Sequence, residues 1–412
     1  MSGPRPGFEP LLRELAPQVL GVLVRRHGQF DLCEDAVQEA LLAAAQQWPA
    51  GGLPDNPRGW LIAVASRRLI DELRSEQARR AREEATGHAR DAPQPGVDAE
   101  RPLEHDDTLT LLFLCCHPAL SPVSQLALTL RAVGGLTTAQ IASALLVPEA
   151  TMAQRISRAK QTIRSSELGF ETPPSEEWPQ RLAVVLHVLY LIFNEGYLAS
   201  SGPDLQRIEL AEEAIRLTRM LRRLLPDDGE VTGMLALMLL THARRRARAT
   251  PSGDLVPLAE QDRALWDRPM IEQALGMLTG SLSHAAVGPY QLQAAIAALH
   301  AEAATAQDTD WRQILGLYEL LEGSTPNPAV TLNRAVAVAM VRGPDAGLEL
   351  LSQIEASGGL AGTHRLESVR AHMLEMAGDR TSAADSYRRA AQMATSIPER
   401  RYLEARAGRF SP

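Results

Sequence analysis

Between Gly134 and Arg164 the chain sets hydroxyls, amides and guanidiniums where they can read nucleic acid. Thr137-Thr138-Ala139-Gln140-Ile141-Ala142 opens a short helix, Val147-Pro148 makes a turn, and Glu149-Ala150-Thr151 begins a second helix. That is the layout of a helix-turn-helix. In the second helix Met152, Ile156, Ala159 and Ile163 recur at steps of four, three and four, which predicts one buried stripe. Thr151, Gln154, Arg155, Arg158 and Thr162 then face outward, with Lys160 and Arg164 placed for phosphates. Gln and Arg can make paired hydrogen bonds to base edges, each contributing ~1–3 kcal/mol of discrimination. A merely solvated basic helix is the bland alternative, and the Thr-rich start and proline turn argue against it.

Two further surfaces carry functional residue types. A helix is predicted from about Leu32 to Trp48, with Asp31 as its cap and Glu34 closing a capping box. Ala36, Ala40, Leu41 and Ala44 share one face, while Asp35, Gln38, Glu39 and Leu42 share the other. Such a face is either simply solvated or a docking surface for a basic protein. The next helix is opened by Asn56 as cap and Pro57 at its first position. Leu61, Ile62, Ala65, Leu69 and Leu73 form its core side. Trp60, Arg67, Asp71 and Arg74 gather opposite, with Val64 and Arg68 flanking. A Trp among arginines suits single-stranded DNA, because the ring stacks on an unpaired base and the guanidiniums hold phosphates. Ordinary packing of Trp60 between helices is the alternative. The Gly- and Pro-rich loop Pro49–Asn56 could shape a pocket for an extruded base.

The elements that must position these groups read as helices throughout, and no run alternates with period two, so the predicted class is all-α. The 412 residues suit two or three domains, each able to bury a core. Residues 8–74 read as one helical domain. Residues 75–107 form a polar, acidic linker with Pro93, Pro95, Gly96 and Pro102, expected to be flexible. Residues 108–170 hold the helix-turn-helix domain, and 176–412 form a long helical extension broken at Pro203, Pro226, Pro251, Pro289, Pro326 and Pro344. Within it Gly343 and Gly378 each end one helix and precede another, 35 residues apart, close to the ~34 of a tetratricopeptide repeat. Ordinary helical hairpins in a bundle remain the alternative.

The formal net charge of −8 argues against a uniformly basic nucleic-acid-coating protein, so DNA contact must rest on local basic patches. Cys33, Cys115 and Cys116 do not make a disulfide framework and point to a reducing, cytoplasmic setting. Cys115-Cys116-His117 sits in an apolar run and lacks a second ligand pair, so core packing is expected rather than a metal site. His187, between Leu186 and Val188, reads as a packed core residue. No apolar run approaches the ~20 residues of a membrane span, and no glycine phosphate loop, nucleophile motif or cofactor site points to an enzyme.

These pieces, in this order, resemble the extracytoplasmic-function (ECF) sigma factors of bacterial RNA polymerase. The residues that carry the likeness are Glu34-Asp35-Ala36-Val37-Gln38-Glu39-Ala40, Pro57-Arg58-Gly59-Trp60-Leu61, Arg67-Arg68-Leu69-Ile70-Asp71, Gly135-Leu136-Thr137-Thr138-Ala139-Gln140-Ile141-Ala142 and Val147-Pro148-Glu149-Ala150-Thr151-Met152-Ala153-Gln154-Arg155. Leu111–Pro122 and Tyr190–Tyr197 are similar to a subgroup with a long C-terminal tetratricopeptide-like extension. The resemblance implies that Asp35, Gln38, Glu39 and Leu42 bind the β′ clamp helices of core polymerase. It implies that Asn56, Trp60, Arg67, Arg68 and Arg74 recognise and melt the −10 promoter element. Thr151, Gln154, Arg155, Arg158 and Lys160 would read the −35 element, in a domain that meets the polymerase β flap. Roughly 240 residues follow Phe170, where compact members end soon after the helix-turn-helix, so a regulatory protein or ligand is expected at the extension. Two other functions compete: a stand-alone helix-turn-helix regulator with a helical sensor domain, and a helical-repeat scaffold.

Overall fold

The computed structural model describes residues 8–84, 107–145, 147–165, 173–282, 287–356, 360 and 363–410. Among these there are eighteen α-helices and no strands, so the chain is all-α as expected. It divides into two compact units, Met1–Val188 and Leu189–Pro412.

The first unit holds α1 (Glu9–His27), α2 (Phe30–Gly51), α3 (Pro57–Glu84), α4 (Asp107–Cys115), α5 (Pro122–Ala132), α6 (Thr138–Ala144), α7 (Glu149–Ser165) and the start of α8 (Trp178–Tyr197). Helix α3 continues to Glu84, ten residues past the expected end of the first domain at 74. The remainder of the expected acidic linker, 85–106, lies outside the described residues. The two expected DNA-binding domains are packed together in this unit, α4 lying against α1. Gly21 makes that approach possible: a Cβ there would come within 2.7 Å of the Asp107 backbone oxygen. Arg25 Nε then meets the buried Asp107 carboxylate at 2.9 Å.

Capping chemistry sets where these helices begin. Ser121 accepts from Ser124 N–H and is followed by Pro122 at the first position of α5. Thr137 and Gln140 form a full capping box on α6. Cys115 and Cys116 are buried in the core, Cys116 Sγ lying 3.5 Å from Thr129 Oγ1. Burial holds both thiols protonated, Cys116 being pushed up to about 12, which fits the packing reading. His187 corrects the sequence reading: it is exposed. Val185, Leu186, Val188, Leu189, Ile192 and Phe193 carry the buried side of α8, and a residue at 187 falls opposite that stripe.

The second unit contains α9 (Ile208–Leu224), α10 (Gly229–His242), α11 (Arg268–Leu282), α12 (Pro289–Glu302), α13 (Trp311–Ser324), α14 (Pro328–Arg342), α15 (Pro344–Ala356), α16 (His364–Met376), α17 (Arg380–Met393) and α18 (Ile397–Gly408). Gly343 and Gly378 sit at the turns of two successive hairpins, α14–α15 and α16–α17, with φ of 98° and 83° that an L side chain would resist. The Tyr190–Tyr197 stretch is a packing seam. Phe193 is buried, a Cβ on Gly196 would strike Ala211 N at 2.3 Å, and the Arg248 guanidinium lies 3.4 Å from the Tyr197 ring centroid. The loop after α8 is tied to the start of α18, where Ile397 N–H donates to Gly202 O at 3.0 Å.

Two histidines, buried His242 and half-buried His300, should make this unit acid-sensitive. Burial, aided by Arg245, pulls His242 down to about 4, and burial with Arg244 and Arg263 does the same to His300. Glu212, 3.8 Å from His242, is itself mostly exposed and does not outweigh that burial. Because the folded pKa lies below the unfolded one, this contribution is complete above about pH 6.5 and is lost as pH falls toward 4. The unfolding free energy in urea at pH 4.5 should therefore fall relative to pH 7.5, with His242 alone supplying about 2–3 kcal/mol. His242→Gln should reduce that difference; an unchanged pH slope would contradict the assignment.

Candidate nucleic-acid and polymerase interface

The recognition helix has the face the sequence predicts. Met152, Ile156, Ala159 and Ile163 are buried, packing α7 on α5 and α6. Gln154 and Arg158 are exposed, while Thr151, Arg155 and Thr162 are half-buried. Thr162 Oγ1 donates back to Arg158 O at 3.0 Å, which removes its hydroxyl proton from outside contacts.

Lys160 and Arg164 depart from expectation. Both are bound to carboxylates of α2 rather than open to phosphate. Lys160 Nζ pairs with Glu34 and lies 3.7 Å from Asp31, and Arg164 pairs with Asp31. Helix α2 is likewise not capped as its sequence suggests. It begins at Phe30, one residue ahead of Asp31, behind Gln29, which makes no side-chain cap bond. Asp31 and Glu34 are engaged instead by cations from α5 and α7, charge-assisted contacts that take up their carboxylate oxygens. Glu34 also receives Arg131 Nε at 2.5 Å. The sequence gives no hint of this partner: nothing periodic links residue 34 to residue 131.

Asp35, Gln38, Glu39 and Leu42 are brought together on the open edge of α2. They line a groove with Leu32 and Arg68. Leu42 is 62% exposed, unusual for a leucine in an acidic neighbourhood. Burial raises the Asp35 carboxyl above its ordinary range; Lys160 opposes that shift while Glu34 and Asp31 reinforce it. Glu39 and Arg68 Nε are 3.3 Å apart on the surface, so a residue expected to bind polymerase touches one expected to bind DNA.

On α3, Leu61, Ala65 and Leu69 are buried and Arg67, Asp71 and Arg74 exposed, the division expected from periodicity. Trp60 is half-buried, its ring edge-on to buried Trp48 at 5.5 Å. That contact fixes the ring and leaves part of it at the surface. Asn56 Oδ1 accepts from Gly59 N–H at 2.9 Å, the predicted cap. The loop before it is shorter than expected, since α2 runs through Pro49 to Gly51, where Gly52 turns the chain with φ 84°.

Comparison with known proteins follows the same division. Sigma-70 region 2 matches residues 11–79 and Sigma-70 region 4 matches residues 110–163. These two matches, with the relatives below, support an ECF-like sigma factor. A family of unknown function (DUF6596) matches residues 181–282 of the extension. An uncharacterized protein of Rhizobium meliloti (strain 1021) is 43% identical over 390 residues, 94% of this chain and 92% of that one. The probable ECF RNA polymerase sigma factor SigI of Mycobacterium tuberculosis is 32% identical over 154 residues, 37% of this chain and 52% of its own. The ECF RNA polymerase sigma factor SigK of Mycobacterium bovis is 27% identical over 152 residues, 36% of this chain and 79% of its own. Among the described residues no helix is long and apolar enough to cross a membrane, and no cluster of His, Cys, Asp and Glu could hold a metal ion.

Because Asn56 caps α3, Asn56→Ala should lower the unfolding free energy by about 1 kcal/mol, whatever it does to DNA binding. A urea midpoint unchanged by the substitution would leave the capping hydrogen bond without energetic weight.

Proposed function

We propose that this sigma factor docks on core RNA polymerase through Asp35, Gln38, Glu39 and Leu42, and reads promoter DNA through α7 and α3. The observation that carries the reading is the open acidic groove of α2, with Leu42 at its rim, beside the exposed arginines of α3. A partner bringing a basic helix with an apolar residue would match both the charge and the leucine. The resemblance drawn from the sequence identifies that partner as the β′ clamp helices, with the β flap meeting the α5–α7 domain.

In this reading Gln154, Arg155 and Arg158 contact base edges of the −35 element, with Thr151 beside them. Arg67, Arg68 and Arg74 hold the backbone at the −10 element while Trp60 stacks on an unpaired base. Stacking averages ~1.4 kcal/mol per step, so opening a few base pairs costs several kcal/mol. Polymerase contacts, −35 contacts and capture of an extruded base together offset that cost. No covalent chemistry is involved.

The second unit is the proposed seat of regulation. Its successive hairpins support a tetratricopeptide-like reading, and it carries an open cleft of about 720 Å³ lined by Tyr190, Asn194, Asn333, His364, Arg365 and Tyr402, mixed polar and apolar as ligand sites are.

Run-off transcription with purified core polymerase tests the proposal. Arg155→Ala or Arg158→Ala should reduce promoter-specific transcripts about ten-fold or more while co-elution with core polymerase persists. Asp35→Arg with Glu39→Arg should abolish co-elution. Specific footprints without polymerase would instead make the chain a conventional helix-turn-helix regulator.

A further inference from the structure

The cleft of the second unit carries positive charge that its own lining does not neutralise. Its wall combines the end of α8 with residues of α14, α16 and α18. Arg365, exposed at the start of α16, lines it and makes no ion pair among the described residues. Glu195, another lining residue, is already paired with Arg207. Glu399 stands 3.6 Å from His364, whose Nε2 is buried without a hydrogen-bond partner among the described residues. Behind Tyr197, also in the wall, the imbalance grows. Arg248 is 5% exposed, lies over the Tyr197 ring and donates to Tyr197 O. Arg244 Nη2 donates to the Tyr197 hydroxyl at 3.3 Å. Neither arginine forms an ion pair among the described residues. Burial by itself would push the Tyr197 hydroxyl up, but the two guanidiniums outweigh it and draw it down. Positive charge held away from water is poorly screened, so it is felt across the cleft.

We propose that this cleft binds a small aromatic monoanion, an aromatic carboxylate being the type, with Arg365 holding the charged end and Tyr190 and Tyr402 flanking the ring. The proposal rests on the reading of this unit as the seat of regulation and gives that reading a ligand class. A cationic ligand would add to the excess positive charge. A carboxylate relieves it, and its two oxygens match the parallel N–H donors of a guanidinium. One unpaired guanidinium in the lining suits one charge rather than the several of a nucleotide. Tyr190 is braced by Tyr290, ring centroids 5.6 Å apart, so it offers apolar surface with little freedom left to lose. Asn194 and Asn333 line the cleft with side-chain amides that have no partner among the described residues and can hydrogen-bond the anion or a ring substituent. The volume of about 720 Å³ is that of a site for a small organic ligand.

Titration of the full-length chain with anilinonaphthalene sulfonate, a fluorescent aromatic monoanion, tests this, with phenylnaphthylamine as its uncharged counterpart. The anionic dye should bind at one site, and Arg365→Gln should weaken it about ten-fold while leaving the uncharged dye unchanged. Arg312→Gln, at an exposed position of α13 outside the cleft, should alter neither dye. Asn333→Trp, at an exposed position of the lining, should crowd the cleft and weaken both. Naphthoate should displace the anionic dye and naphthamide should not. Equal losses from Arg365→Gln and Arg312→Gln, no loss from Arg365→Gln, or equal displacement by the acid and the amide would overturn the proposal. Co-elution of the unaltered chain with core polymerase is scored separately. Its absence would remove the sigma-factor reading and leave the cleft to be decided by the dyes.

Discussion

A carboxylate removed from water must keep its cations beside it, and in the first unit that carboxylate is Glu34. The residue stands on α2, whose apolar side packs on α1 and α3. Its acidic edge faces Arg131, Lys160 and Arg164 from the helix-turn-helix segment, and its remaining edge is the open groove. Three surfaces therefore share one helix: a hydrophobic seam, an ionic seam and an open groove. Any displacement of α2 relative to α7 must be matched by new partners for the charged groups of that ionic seam.

The two kinds of ion pair in this unit differ in what they do. Glu39 and Arg68 are both more than half exposed, and such a pair contributes about 0–1 kcal/mol, so it yields readily to another partner. Glu34 with Arg131 and Lys160 is buried, and removing one member would strand the others. The buried cluster joins α2 to α5 and α7.

In the second unit, backbone approach and capping act alongside ion pairs such as that of Arg406 with Glu260 and Glu375. Gly196 lets α8 meet the start of α9, and Gly233 lets α10 approach Gln291 of α12, where a Cβ would come within 2.7 Å. Glu230 accepts from the N–H groups of Tyr290 and Gln291, so a carboxylate from α10 caps α12. Asp228, Asp310, Asn327 and Asp379 cap their own helices. With ends so defined, successive hairpins stack and line the open cleft between the end of α8, α14, α16 and α18.

The sequence by itself determined the helices, the buried stripe of α7, the Asn56 cap, the core side of α3 and the hairpin turns at Gly343 and Gly378. All of these follow from local periodicity and short-range hydrogen bonding. It also determined that Asp35, Gln38, Glu39 and Leu42 share a face, because residues on one helix keep their relative angles wherever that helix goes. Only the tertiary structure decided that Asp31 and Glu34 serve as partners for Arg164, Lys160 and Arg131 instead of capping α2. It also decided that Trp60 leans on Trp48, that His187 is exposed, and that the region 2 and region 4 segments form one compact unit. Those outcomes join residues far apart in the chain, and their energies depend on the burial and charge that distant segments bring, which no local pattern encodes.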